Sequence, residues 1–478
     1  MMRIFGCVVF VLLWWPLGAE AACSGSGQTW TCTAGSTNSQ INSAISSATT
    51  GATITLQNGT YSFNDVMLSQ RDGITIRCET VRGCTLTGSR PFRHSGSINT
   101  RYVHLVRVSG FVFSSGVIDL GTGSGDSWID KFRIDNNTFL GSDAIQIGHT
   151  NGSRNIWGVI DHNLFQNSNP NRPIQIFGRG DADWEPNLLG TGNAVFLENN
   201  TFTNGSETLA GSGSDIWHGG RLVVRYNDIT NARTSVHGVC HNGPALLEVY
   251  NNNYSSSGGT NRTIHHQGSG EMIFFGNTFA DTGEDIVLQH YRSLSPLPSC
   301  SEQPSSCDGN SSADGNRSPT ATFQGYPCWR QPGRDVAGNL RPIYVWNNRY
   351  RSDGSRATLG IEGGGRSNVH IVANRDYYEA PSASAQASPV TPFSGLTGMG
   401  FGTLANRPPT CTTNPTEAGG GVGYFATNQG PQGTLYRCSA TNTWTAHYTP
   451  YTYPHPLVSG DPGMITPGAP TNVRITRD

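Results

Sequence analysis

Seven of the 13 histidines fall in one recurring phase of the chain, and arginines accompany them. The segments read DAIQIGH ending at His149, PIQIFGR at Arg179, and SDIWHGGR with Trp217, His218 and Arg221. They continue as TSVHGVCH with His237 and His241, RTIHHQG with Arg262, His265 and His266, and DIVLQHYR with His290, Tyr291 and Arg292. Asp143, Asp215 and Asp285 precede His149, His218 and His290 by a few residues. Imidazoles move protons near neutral pH. Guanidinium groups grip carboxylates through two parallel hydrogen bonds. Trp217 and Tyr291 offer flat faces for sugar rings. Together these groups suit a long polysaccharide. The blander reading is that each strand-end imidazole bonds neighbouring backbone.

Metal chemistry is the second reading. His237, His241, His265 and His266 with Asp215 form a zinc set of no standard spacing. Asp143, Asp181 and Asp183 would suit calcium. A serine nucleophile has no G-x-S-x-G support.

The elements that would line these groups up are announced by a second repeat. Apolar runs end in Asn, any residue, then Phe, Tyr or Ile, as in FRIDNNTF, VFLENNTF and MIFFGNTF. The Asn positions are Asn137, Asn163, Asn200, Asn227, Asn252, Asn277 and Asn348, spaced 26, 37, 27, 25, 25 and 71 residues apart. A step near 25 residues with strand composition predicts a β-solenoid, whose coils stack about 4.8 Å apart. The asparagines read as internal ladders, since an inward amide at a coil corner can satisfy backbone groups and stack on the next. The longer steps predict loops at 181–193 and 293–341.

Composition agrees with many short strands and tight turns: 60 of 478 residues are Gly, and 13% are charged. The formal charge of −2 gives no reason to expect nucleic acid. Met1 to Ala21 reads as a secretory signal, with Arg3 before an apolar run and Ala19-Glu20-Ala21 at its end; a lipid-modified Cys23 is its rival. No other stretch is long and apolar enough for a membrane span. The ten cysteines left after the signal suggest pairs Cys23–Cys32, Cys78–Cys84, Cys300–Cys307 and Cys411–Cys438, leaving Cys240–Cys328. NSQINSAISS is the helix candidate, with Asn38 as N-cap and Ile41, Ala44 and Ile45 on one face. It would cover the open end of the first coil. The expected division is a signal over 1–21, a solenoid over 22–379, and over 380–478 a Pro/Gly-rich segment leading to a disulfide-stapled C-terminal cap. The chain is expected to be a monomer.

The segments ITLQNGTYSF, ITIRCETVRGCTLTGS and SDAIQIGHTNGS resemble the right-handed parallel β-helix proteins of the pectate-lyase-like superfamily. Within them the chain is most similar to polysaccharide lyases that cut alginate and chondroitin or dermatan sulfate, over roughly residues 38–290. That resemblance implies an all-β, right-handed parallel β-helix and cleavage of uronic-acid polymers by β-elimination. A base takes the C5 proton while positive charge stabilises the enolate-like carboxylate. The chain departs from the lyase pattern at the chemistry. Val236-His237-Gly238 stands where the family has Arg-His-Gly, and the base-bearing segment has no lysine; Lys131 is the only one in the chain. His237 is therefore the expected base, Arg225 or Arg262 the carboxylate partner, His218 or His265 the assistant, and Tyr291 the proton donor to the leaving oxygen. Substrate-binding roles fall to His149, Arg179, Trp217, Arg221, His241, His266, Asp285, His290 and Arg292. The rivals are a glycoside hydrolase using Asp215 and Asp285, and a non-catalytic carbohydrate-binding adhesin.

Overall fold

The computed structural model describes residues 22–96, 100–121, 128–148, 156–166, 173–178, 188–204, 213–236, 243–255, 264–280, 285–289, 331–335, 338–362, 371–383, 389–415 and 417–458. Three parallel sheets run the length of a β-solenoid. Most coils contribute one strand to each. The coil around the first ladder residue shows the order: Trp128–Asp135 in the first sheet, Thr138–Phe139 in the second, Ile145–Ile147 in the third. The first sheet has 14 strands and the other two have 10 each.

Alternation decides what faces inward. On the first sheet Ile134, Ile160, Leu197, Val224, Val249 and Phe274 occupy one register line, all buried. On the second, Phe113, Phe139, Phe165 and Phe202 stack at centroid distances of 4.7, 5.0 and 4.5 Å. Burying such a side chain contributes about 1.5–3 kcal/mol.

The corner between the first and second sheets is tight because the residue before each ladder Asn turns into the left-handed region. Asn136, His162, Asn199, Tyr226, Asn251 and Asn347 have φ of 58, 55, 55, 55, 56 and 53°. Asparagine tolerates this conformation; His and Tyr are rarer there. The following Asn points inward and forms the expected ladder. The Asn163 backbone N–H and Nδ2 both donate to Asn200 Oδ1, each at 3.0 Å, and Nδ2 also donates to Ile134 O at 2.8 Å. The same pattern links Asn200, Asn227, Asn252, Asn277 and Asn348.

Helix α1 (Asn38–Ser47) covers the first coil with Ile41, Ala44 and Ile45 buried. Its N-cap is Thr37, not Asn38: Thr37 and Gln40 form a reciprocal capping box. Asn38 instead donates to Asn64 O at 3.1 Å, tying the helix to the coil below. Disulfides join Cys23–Cys32, Cys78–Cys84 and Cys411–Cys438. Cys240, Cys300, Cys307 and Cys328 lie outside the described residues.

The C-terminal segment, stapled by Cys411–Cys438, builds a small sheet of its own. Strands Met399–Gly402, Gly423–Ala426, Thr434–Ala440 and Thr443–Tyr448 form a small sheet. Its Tyr424, Phe425 and Leu435 pack on the outer face of the first sheet, in one apolar cluster with Tyr250, Phe275, Tyr344 and Trp346. Residues 448–457 then run back along that face as a strap. Tyr448 donates to Glu248, Arg225 to the carbonyls of Tyr451 and Thr452, the His455 N–H to Glu198, and Arg133 to Leu457 O. The first sheet leaves outward aromatic and charged residues that need a cover, which explains this placement. The described ends of both long loops lie on the same side. Gly190 donates to Glu248, and Arg334 pairs with Asp376 and Glu417.

Candidate functional site

The third sheet presents its outer face on the side that the strap does not occupy. Strand pairing sets Asp119, Gln146, Gln175, Asp215, Ser235, His265 and Val287 in one column. Two residues further along, Phe177 pairs in register with Trp217, and their rings lie 5.3 Å apart. Both rings are half-buried, as are Gln146 and Gln175. Asp215 and Ser235 are buried.

Where the third sheet turns toward the first, the chain thins to glycine. Gly148 has φ +79°, and a Cβ there would lie 2.5 Å from Phe177 O; one on Gly178 would lie 2.3 Å from the Gly219 carbonyl carbon. Successive coils touch backbone to backbone at this edge, which excludes side chains. His218 sits on the turn with φ 56° and is 9% exposed. A crevice opens here, lined by Trp157, Phe177, Gly178, Gly219, Gly220 and Arg221 among others. The Arg221 guanidinium carbon lies 5.0 Å from the Trp157 ring centroid, a cation–π arrangement.

Of the residues singled out by sequence, Trp217, His218 and Arg221 gather at this edge. His265 and His266 lie on the strand Ile264–Gln267 of the same sheet. Asp285 stands at the entrance to the next third-sheet strand, 2% exposed, and burial pushes its carboxyl up to about 6. Three coils separate it from Asp215, about 14 Å at the usual strand spacing. Paired glycosidase carboxyls stand about 5–9.5 Å apart, so these two aspartates do not form such a pair. His149, Arg179, His237, His241, Arg262, His290, Tyr291 and Arg292 lie outside the described residues.

Arg225 requires a correction. It belongs to the first sheet, with no exposed surface, beneath the strap. Its Nε donates to Glu198 at 2.7 Å and its Nη atoms donate to Tyr250 and to the carbonyls of Tyr451 and Thr452. Burial opposes its charge, but Tyr250 and Glu198 outweigh it and hold the pKa above the usual guanidinium value. An arginine so enclosed is a structural clamp, not a grip for substrate.

Among the described residues no three side chains of metal-ligand type converge. Asp143 is exposed, while Asp181 and Asp183 of the calcium set lie outside the described residues. No described helix is long and apolar enough to cross a membrane.

Sequence reasoning passed over Phe177, Gln146, Gln175 and Trp157. The signal for the last was present: Trp157 precedes Asn163 by six residues, as Arg221 precedes Asn227. Phe177 is found once PIQIF and SDIW are aligned on their shared phase. Comparison of the chain with protein-family models, curated proteins and solved structures finds no match.

Proposed function

We propose that this is a secreted polysaccharide-active protein that binds a uronic-acid polymer along the outer face of the third sheet and cleaves it by β-elimination. One observation carries the reading: the Phe177–Trp217 ring pair stands in register beside a column of half-buried amides, Gln146 and Gln175. Rings take the apolar faces of sugars, and amides both donate to and accept from hydroxyls. A repeating surface with a coil spacing of about 4.8 Å suits a repeating ligand. His237 is the base in this reading, Arg262 faces the carboxylate, His218 or His265 assists, and Tyr291 protonates the leaving oxygen. Disulfides are compatible with the secretory route.

The test is incubation with alginate, polygalacturonate and glycosaminoglycans, monitored by the ultraviolet absorbance of the unsaturated product. The expected result is a signal on at least one polymer that His237→Ala abolishes. Absence of unsaturated product on every uronate polymer sinks the lyase reading. A non-catalytic binder is the second reading, favoured by the same ring pair and amides, which recognise sugar without turning it over. Retention of an immobilised polymer that His237→Ala leaves intact, without turnover, supports that one.

A further inference from the structure

We propose that the small C-terminal sheet carries a second saccharide site, where Arg407 takes the carboxylate of a uronic-acid unit. The class of ligand rests on the polysaccharide reading above; the place and its residues do not.

Between Ala380 and Val458 the only carboxylate side chain is Glu417, and Arg334 holds it. Arg407, in the same stretch, has no counter-ion and no hydrogen-bond acceptor among the described residues. Two rings meet its guanidinium instead. The guanidinium carbon lies 4.3 Å from the Tyr436 ring centroid and 5.6 Å from that of Trp444. Nη1 is enclosed there without a partner, whereas Nε and Nη2 are neither enclosed nor bonded among the described residues. The Tyr436 hydroxyl is likewise open and unbonded. A structural role accounts for the stack, but it leaves the charge and this phenol unanswered.

The arrangement is fixed before any ligand arrives. Arg407 closes a single 3-10 turn, Leu404–Asn406, by donating its backbone N–H to Leu404 O at 3.1 Å. Trp444 Nε1 donates to Pro408 O at 2.8 Å, and Cys411 is bonded to Cys438. The turn is thus tied to the sheet that carries both rings. Phe425 reaches Phe275 and Trp346 of the solenoid, and Leu435 pairs with it. Tyr436, the next residue on that strand, points to the opposite side.

Stacking uses the face of a guanidinium, whereas carboxylates are bound through its N–H edge. Partial burial weakens screening of the charge, so an anion is held more strongly than by an exposed arginine. Arg407, Tyr436 and Trp444 are all half-buried, which leaves part of each open to a ligand. One cation amid ring surface and a phenol suits a sugar acid, whose carboxylate sits on a ring with an apolar face. A run of acidic side chains would find only one charge here.

The experiment is calorimetric titration of the full chain with trigalacturonate, and in parallel with neutral xylotriose and a hexa-aspartate peptide. Wild type is expected to bind two equivalents of trigalacturonate. Arg407→Gln is expected to weaken one of them roughly tenfold or more and spare the other, while Trp217→Ala does the reverse. Arg407→Lys, which keeps the charge without the fork, is expected to recover only part of the loss, and it serves alone where Arg407→Gln fails to fold. A single equivalent that Arg407→Gln removes and Trp217→Ala spares supports this site and overturns the third-sheet reading. Trigalacturonate binding unchanged in number and affinity by both Arg407 variants overturns the site alone. Xylotriose weakened in step with trigalacturonate overturns the carboxylate role. Hexa-aspartate bound through Arg407 where trigalacturonate is not overturns the saccharide assignment. A wild-type protein that binds none of the three overturns the polysaccharide reading and this site with it.

Discussion

Arg221 and Arg225 lie four residues apart on one strand, both buried, both against aromatic rings, yet they belong to different environments. Arg225 is held between Phe196 and Tyr453, its charge answered by Glu198 and by strap carbonyls. Arg221 lies on Trp157 and lines a crevice beside the third sheet. The same contrast separates the two faces of the solenoid. On the first sheet the outward charges of Arg133, Asp161, Glu198 and Arg225 are buried under residues 448–457 and satisfied there. On the third sheet, rings and amides remain half-buried. A row of charge on a solenoid therefore does not mark a binding face by itself; what covers the row decides.

The largest expected effect tests the covered face. Arg225→Ala leaves the enclosed Glu198 carboxyl without its guanidinium partner, and removing one partner of a buried pair costs about 3–5 kcal/mol. Denaturant unfolding measures it. A loss below about 1 kcal/mol would mean that the strap is not held by this clamp.

Next comes the element both faces share. Asn200→Ala leaves the Asn163 N–H and the carbonyls of Ile160 and Glu198 without their ladder partner. An orphaned buried group costs about 1–3 kcal/mol, so the variant should unfold earlier by at least that much. An unchanged midpoint would show that water replaces the amide.

Smaller still is Trp217→Ala on the third sheet. Loss of a stacking ring should cut polysaccharide affinity by about tenfold, with stability altered by less than about 1 kcal/mol. Equal losses in binding and stability would erase the distinction between the faces.

The subtlest contrast is in pH. On the first sheet burial raises Glu248 to about 7, with Tyr448 and Gly190 as hydrogen-bond donors. Its folded pKa lies above its unfolded value of 4.5, so its contribution is full below pH 4.5 and is lost as pH rises through about 7. On the third sheet burial lowers His94, packed edge-on against Tyr102, to about 4. Its contribution is full above 6.5 and is lost as pH falls through about 4. Glu248→Gln should thus flatten the alkaline decline in stability, and His94→Leu the acid one. Melting temperatures across pH 4–8 check both signs.

Much of the architecture is legible in the sequence because the solenoid is built from local repeats. The Asn-x-aromatic phrase carries its own corner, its inward amide and its stacked ring, so the period reveals the coils and the register. Arg225 shows where that stops. LVVRYND places it in the repeat, but its partners Tyr451 and Thr452 are more than 220 residues away and no periodic signal connects them. The strap's course depends on the outward residues of successive coils, which the inward pattern does not specify. Trp157 and Phe177 are legible in phase, but neither titrates, so the basic stripe does not mark them. The helix start moved by one because Thr37 offers the reciprocal bond with Gln40 that Asn38 cannot.

The asparagine ladder also has a direction. Each amide oxygen accepts from the coil before it, from the Phe111 N–H at one end to Asn348 Oδ1 at the other, while each amide nitrogen up to Asn277 donates both to the next amide oxygen and back to a carbonyl of the preceding coil. No coil is complete until its successor arrives to receive those protons. A chain that folds from its N-terminus can therefore advance one coil at a time, each unfinished rung serving as the template for the next. A chain cut short within the solenoid keeps one rung of donors unanswered at its growing end.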